Sequence, residues 1–161
     1  MFFDVFNSWK IDISWTLIKI GYNFSDYSFR ISRNEIIEYA TYVLESNEDN
    51  PALTDLIFAS DSKNELNEVL DELIRSEDVC LENEQRKWVL YVLWKAVSAL
   101  SEPPTMEELF CLGDLWYDLG RPMHYPWDVK KCEYIKCTDY DDMINTHMEW
   151  LNTEIEVLKR Q

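Results

Sequence analysis

Glycine and proline are scarce in this chain of 161 residues, which contains three of the first and five of the second. An all-β domain has many turns, and turns draw on both residue types, so that class is disfavoured. Helices joined by short connections need few of either. Hydrophobic residues make up 47% of the chain and aromatic residues 14%. The composition therefore predicts a packed all-α domain and argues against a disordered acidic chain.

Long hydrophobic runs are also missing. The longest apolar run extends from Trp88 to Trp94, whereas a membrane-spanning helix needs about 20 residues. The opening MFFDVFNSWK has no basic region and carries Asp4 inside its apolar part, so no export signal is expected. The chain has four cysteines, Cys80, Cys111, Cys132 and Cys137. They lack the spacing of a disulfide framework, which indicates reduced thiols in a cytoplasmic protein.

Basic residues are few, and the acidic residues that outnumber them are unevenly distributed. There are 15 Lys and Arg against 31 Asp and Glu, which gives a formal net charge of −16 and an isoelectric point near 4.4. Thirteen of the acidic residues fall between Glu45 and Glu84, against only Lys63 and Arg75. Such a concentration of charge repels nucleic acid and anionic membrane surfaces. It favours a basic protein or a cation as partner.

Signals for helix starts recur along the chain. Three pairs have the capping-box pattern of Ser or Thr followed three residues later by Glu: Ser32 with Glu35, Ser62 with Glu65, and Thr105 with Glu108. Asn50-Pro51 combines an N-cap residue with proline at the first helical position. Other helices are predicted over Ile13–Ile20, capped by Asp12 or Ser14 and ended by Gly21, over about Asn83–Leu100, and from Thr138–Asp141 onward.

These elements predict one all-α domain over residues 1–161, a bundle of six or seven helices. The segment from Trp88 to Leu100 is apolar nearly all round, which places it at the centre of the bundle. Residues 121–137 contain two prolines and fit no helix. An irregular strap or a short strand is expected there.

The helix that begins near Ser62 has two contrasting faces. A leucine stripe at helical spacing lies opposite a row of carboxylates, whose mutual repulsion costs a few tenths of a kcal/mol per pair. That cost suggests that the carboxylates serve a partner, although a merely solvated face is the alternative. The expected partner-binding residues are Asp61, Glu65, Glu68, Asp71, Glu72, Glu77, Asp78 and Trp127. Asp55, Glu82 and Glu84 are expected to extend this surface.

Trp127 lies in a proline-flanked loop with several aromatic and basic neighbours. An aromatic ring in such a loop can anchor an interface. It can equally pin the loop to the body of the protein. The basic residues of this loop can also dock on the protein's own acidic helices.

Metal and catalytic motifs are not found. The acidic stretches Ser46–Asn50 and Asp61–Glu65 lack the alternating ligands and central glycine of an EF-hand. The zinc ligands to consider are His124, Cys132, Cys137 and His147. No CxxC pair accompanies them, and His147 lies on the apolar stripe of the last helix, as a core histidine does. No catalytic residue, metal or cofactor is therefore expected, and the protein is not expected to be an enzyme.

Two segments carry a family resemblance. Trp9, Ile13-Ser14-Trp15 and Gly21-Tyr22 form the first, and LWYDLGRP over residues 115–122, followed by a strap and a Trp-containing helix, forms the second. Together they resemble small acidic helical proteins of uncharacterised bacterial families, which are similar to immunity proteins of toxin systems. The resemblance implies a cytoplasmic protein that neutralises a cognate toxin by binding it, with no catalytic residues. A helical adaptor and, less favoured, a small metal-dependent enzyme are the alternatives.

Overall fold

All the regular secondary structure is α-helical in the residues that the computed structural model describes, which are 2–46, 50–59, 62–120 and 140–160. The helices are α1 (Phe2–Trp9), α2 (Trp15–Tyr22), α3 (Arg33–Glu45), α4 (Pro51–Phe58), α5 (Lys63–Ile74), α6 (Leu81–Ser98), α7 (Met106–Asp118) and α8 (Tyr140–Leu158). The all-α prediction is confirmed, with eight helices in these ranges where six or seven were expected. The strap or strand expected at 121–137 lies outside the described residues.

The chain divides into two compact units, Met1–Trp88 and Val89–Gln161. Helices α1 to α5 belong to the first unit, and α7 and α8 belong to the second. Helix α6 begins in the first unit and ends in the second. The single domain expected over residues 1–161 stays a prediction.

Aromatic side chains form the core of the first unit around α1. Phe2, Phe6 and Trp9 are buried at helical spacing. The ring centroid of Phe2 lies 4.8 Å from that of Phe6 and 5.9 Å from that of Trp88. This helix is not among those predicted from the sequence. The residue after it, Lys10, has a φ of 58° and so adopts the left-handed conformation. Helices often end with a residue in this conformation, and that residue is usually glycine.

Helix α2 uses one of the two predicted N-caps, but it starts at Trp15 rather than Ile13 and ends at Tyr22 rather than Ile20. Its N-cap is Ser14, whose hydroxyl accepts a hydrogen bond from Leu17 N at 3.0 Å. Gly21 was expected to end the helix, which instead continues through it. A Cβ atom at Gly21 would lie 2.5 Å from Cδ1 of Ile31 and closer still to the indole of Trp88. Glycine is therefore required here for close packing rather than for a turn.

Two of the three predicted capping boxes are present. Ser32 N donates to Glu35 Oε2 at 2.9 Å and Glu35 N donates to Ser32 Oγ at 3.3 Å. Thr105 and Glu108 exchange the same pair of bonds. The third prediction is wrong, because Ser62 is the N-cap of α5 but its side chain makes no capping hydrogen bond. Its ψ is 121°, against 156° at Ser32.

Helix α6 and the second unit follow their sequence patterns closely. Four consecutive residues of α6, 90–93, are buried, as expected of a helix that is apolar all round. In the second unit, Trp116 of α7 packs edge-to-face on Trp150 of α8, with 4.9 Å between centroids. His147 is buried 5.8 Å from the Trp116 ring, as predicted for a core histidine. Met148, the next residue, is exposed, because one residue turns the helix by about 100°.

Candidate protein-binding surface

A narrow leucine stripe fixes the orientation of α5. Leu66, Leu70 and Leu73 are at most 1% exposed, and they recur at helical spacing on one side. The opposite side faces solvent, as predicted. Its exposed carboxylates are Glu65, Glu68, Asp71 and Glu72. Glu68 and Glu72 are one turn apart, so that their like charges repel along the helix.

One edge of this face is joined to α2. The carboxylate of Asp71 forms an ion pair with Lys19 Nζ. One turn along, Asn23 Nδ2 donates to Asn67 Oδ1 at 2.7 Å. These pairs show that α2 and α5 run antiparallel with a polar seam between them. The side chain of Asp71 remains 51% exposed, but its charge is matched within the molecule.

Glu77 is bound to the N-terminus of α2. Its carboxylate accepts hydrogen bonds from Trp15 N at 2.5 Å, from Thr16 N at 2.9 Å and from Thr16 Oγ1 at 2.8 Å. The first amides of a helix have no partners within it and form the positive end of its dipole, so a carboxylate is stabilised there. Glu77 therefore attaches the connection between α5 and α6 to α2.

Glu84 does not extend the acidic surface, contrary to expectation, because it is only 2% exposed. Ser14 Oγ donates to Glu84 Oε2 at 2.6 Å, and Lys87 Nζ donates to Glu84 Oε1 at 2.7 Å. Lys87 Nζ also donates to the carbonyl oxygen of Asp12 at 3.0 Å. A buried carboxylate needs such partners because it has lost its hydration. Glu84 is thus a structural residue under the start of α2.

The roles of Glu77 and Glu84 are not evident in the sequence, because their partners in α2 lie 61 to 70 positions earlier. A weak local signal does exist. The first turn of α2 has no acidic residue of its own, although acidic residues favour that position. The carboxylates of Glu77 and Glu84 take that place, and the tertiary structure brings them to the start of α2.

Four exposed carboxylates of α5 and of the connection after it form what we call the acidic surface: Glu65, Glu68, Glu72 and Asp78. The first three share one face of a helix, and Asp78 follows four residues after that helix ends. Glu82, at the start of α6, is also exposed. Two other candidates, Asp61 and Trp127, lie outside the described residues.

Apolar side chains interrupt the acidic stretch next to this surface. Val79 is 41% exposed and Leu81 is 57% exposed. Between them, Cys80 is an exposed free thiol. The corresponding signal in the sequence is the run VCL within DVCLENE, which a count of charges alone overlooks. The α5–α6 connection therefore presents exposed acidic and apolar groups side by side.

The positions of possible metal ligands can be compared in the described part of the chain. Within it, no group of three His, Cys, Asp or Glu side chains is placed to hold a metal ion. The zinc candidates His124, Cys132 and Cys137 lie outside it, as do residues 47–49 of the acidic stretch considered for calcium. None of the helices in the described ranges is long and apolar enough to cross a membrane.

Comparison with known proteins identifies a family that spans both units. A family model described as an uncharacterized protein conserved in bacteria (DUF2247) matches residues 3–155. No curated protein and no solved structure matches the chain. The match extends from α1 into α8 and covers the whole of the acidic surface. The chain therefore belongs to the bacterial family DUF2247.

Proposed function

We propose that this protein is an immunity-type protein, which binds a cognate bacterial toxin through the acidic surface and neutralises it without catalysis. The observation that carries the proposal is the exposed pair Glu68 and Glu72, which lies opposite the buried leucine stripe of α5. The resemblance to immunity proteins implies a bacterial protein, and membership of a bacterial family supports that part of the proposal. The toxin would be blocked by occlusion of its substrate groove.

Occlusion by charge requires carboxylates that folding has not already matched. Asp71, Glu77 and Glu84 are engaged with α2 and Lys87, as their contacts show. Within the described ranges, the side chains of Glu68 and Glu72 form no ion pair or hydrogen bond. Such uncompensated charges accelerate encounter with a basic surface. A groove that binds nucleic acid is basic, so a nuclease toxin is the best-matched partner.

The cost of the acidic surface also supports a binding role. Repulsion between carboxylates one turn apart lowers helix stability by a few tenths of a kcal/mol. Lysine at either position would remove that repulsion and keep the face hydrated. Solubility alone therefore does not require this arrangement.

The test reverses the charge of the pair and compares it with a matched reversal elsewhere. Glu68→Lys with Glu72→Lys replaces two carboxylates by two ammonium groups. Glu38→Lys with Glu149→Lys makes the same change at exposed positions of α3 and α8. The probe is a secreted toxin encoded beside this gene, purified in a catalytically disabled form. We expect the first variant to bind about 10-fold or more weakly, through slower association with a flatter salt dependence, and the control to bind as the parent does.

A reporter within the chain tests the location of the contact. Cys80 lies beside the acidic surface and Cys111 lies in α7, and both are exposed free thiols. In a background with Cys132→Ser and Cys137→Ser, bound toxin should slow alkylation of Cys80. Equal binding by both charge-reversed variants would indicate a merely solvated face, as in a helical adaptor. Unfolding of the first variant would mean that its carboxylates are structural.

Stoichiometry separates an immunity protein from an enzyme. If neutralisation is by occlusion, the activity of the toxin should fall in proportion to added protein and reach zero at one equivalent. An enzyme that inactivates the toxin would act at far lower ratios, and the inhibition would grow with time. Addition of a chelator should leave neutralisation unchanged, because the proposed contact needs no metal.

A further inference from the structure

Helix α7 carries two parallel stripes on its outward side. The apolar stripe is Met106, Phe110 and Tyr117, which are 48%, 59% and 67% exposed. The acidic stripe consists of the exposed residues Glu107, Asp114 and Asp118. Members of each stripe are separated by four and seven positions, so that each stripe follows one line along the helix.

The packing of the inner side of α7 leaves both stripes exposed to solvent. Leu109, Leu112 and Trp116 are buried on another side of α7, which sets the rotation of the helix about its axis. The capping box at Thr105 sets its start. Single exposed apolar residues are common on protein surfaces, but aligned ones form a patch, and such patches mark sites of interaction.

We propose that the outward face of α7, defined by these two stripes, is a docking site for a basic amphipathic helix of another protein. A helix laid along α7 can pack an apolar row on Phe110 and its neighbours while its Lys and Arg side chains meet the acidic stripe. Helix α7 itself contains no Lys or Arg, so the basic side chains of a partner helix would complement its acidic stripe. This site does not depend on the acidic surface of α5.

A second copy of the chain fits this face less well. A twofold contact of α7 with itself would bring the acidic stripes of both copies into one interface. Neither copy would supply a positive charge from that helix, and each chain carries a net charge of −16. A basic partner instead gains from the same carboxylates.

The test uses a fluorescent synthetic peptide of Lys and Leu, patterned as an amphipathic helix of about 18 residues. We expect it to bind the parent, and Phe110→Ser to weaken binding about 10-fold or more. Phe58→Ser is the matched control, because Phe58 is 81% exposed in α4 of the first unit. Asp114→Lys should weaken binding and flatten its salt dependence. A Glu and Leu peptide should not bind.

The two exposed thiols report where the peptide lies. Bound peptide should slow the alkylation of Cys111, beside Phe110, and leave Cys80 unchanged in the Cys132→Ser, Cys137→Ser background. Equal effects of Phe110→Ser and Phe58→Ser would overturn the proposal. So would a fall in melting temperature of many degrees in Phe110→Ser, since the face would then be covered within the protein. A parent dimer that Phe110→Ser converts to a monomer would identify a second copy as the occupant instead.

Discussion

Helices α5 and α7 solve the same packing problem but differ on their outward faces. They have 12 and 13 residues, and each buries three large apolar side chains at helical spacing. The outward face of α5 carries carboxylates, whereas that of α7 adds an aromatic and methionine stripe to its carboxylates. Because the inner stripes already provide the burial that folding needs, the outward residues are not constrained by core packing. The two proposed binding sites therefore differ in chemistry, one being acidic and the other both acidic and apolar.

Salt should separate the two contacts. Binding through the acidic surface depends on charges in solvent, which are screened beyond about 8 Å at physiological ionic strength. Binding through the outward face of α7 also buries apolar area, which contributes about 25 cal/mol per Å² independently of that screening. The α7 contact should therefore persist at salt concentrations that abolish the α5 contact.

The largest effects should come from the inner stripes, where the two helices are alike. Leu70→Ala in α5 and Leu112→Ala in α7 should each lower the free energy of unfolding by about 2–5 kcal/mol, because both leucines are buried. Glu68→Ala should change it by less than about 0.5 kcal/mol. Chemical denaturation measures all three. A small loss in Leu70→Ala with a large loss in Glu68→Ala would mean that α5 is turned the other way.

A smaller effect should distinguish the N-termini of the two helices. Thr105→Ala removes a hydroxyl that accepts a bond from Glu108 N, at a cost of about 1 kcal/mol. Ser62→Ala should remove no such bond, because the Ser62 side chain makes no capping hydrogen bond in α5. Thermal melts of both variants test the difference. Equal losses would show that Ser62 does cap α5 in solution.

The smallest effect concerns pH at the start of α7. Hydrogen bonds from the Ser101 hydroxyl, then from the amide and hydroxyl of Thr105 and the Ser101 amide, lower the pKa of Glu108 from 4.5 to about 2. A lowered pKa stabilises the fold at pH above the unfolded value, and this contribution is lost as pH falls from about 4.5 toward 2. The stability difference between the parent and Glu108→Gln should therefore shrink over that range. A constant difference would contradict the hydrogen-bond geometry.

Helix starts were the most predictable part of the fold, since their signals act over three residues or fewer. Asn50 caps α4 with Pro51 at its first position, as the sequence indicates. The missing capping bond at Ser62 shows the limit of such signals, because the same residue pattern is present there without the bond. Helix α1 was not predicted, because the left-handed residue after it is Lys10 and not the glycine that usually signals the end of a helix.

The candidate site was predictable only where side chains remain in solvent. Glu65, Glu68, Glu72 and Asp78 are exposed, as the pattern of charges predicts. Asp71 and Glu77 are exposed or half-buried but bound to α2. The apolar stripe of α7 was not singled out, because periodicity finds apolar residues without showing which of two stripes will be buried.

The sequence by itself determined the helical class, most helix starts and the concentration of negative charge, because these depend on neighbours within a few residues. Tertiary structure alone decided which acidic residues stay available to a partner. Glu84 is enclosed by Ser14 and Lys87, and Glu77 is held by the amides of α2. A carboxylate near an unsatisfied helix N-terminus is stabilised there. The folded arrangement of α2 and the α5–α6 connection brings those groups together across more than 60 positions of sequence.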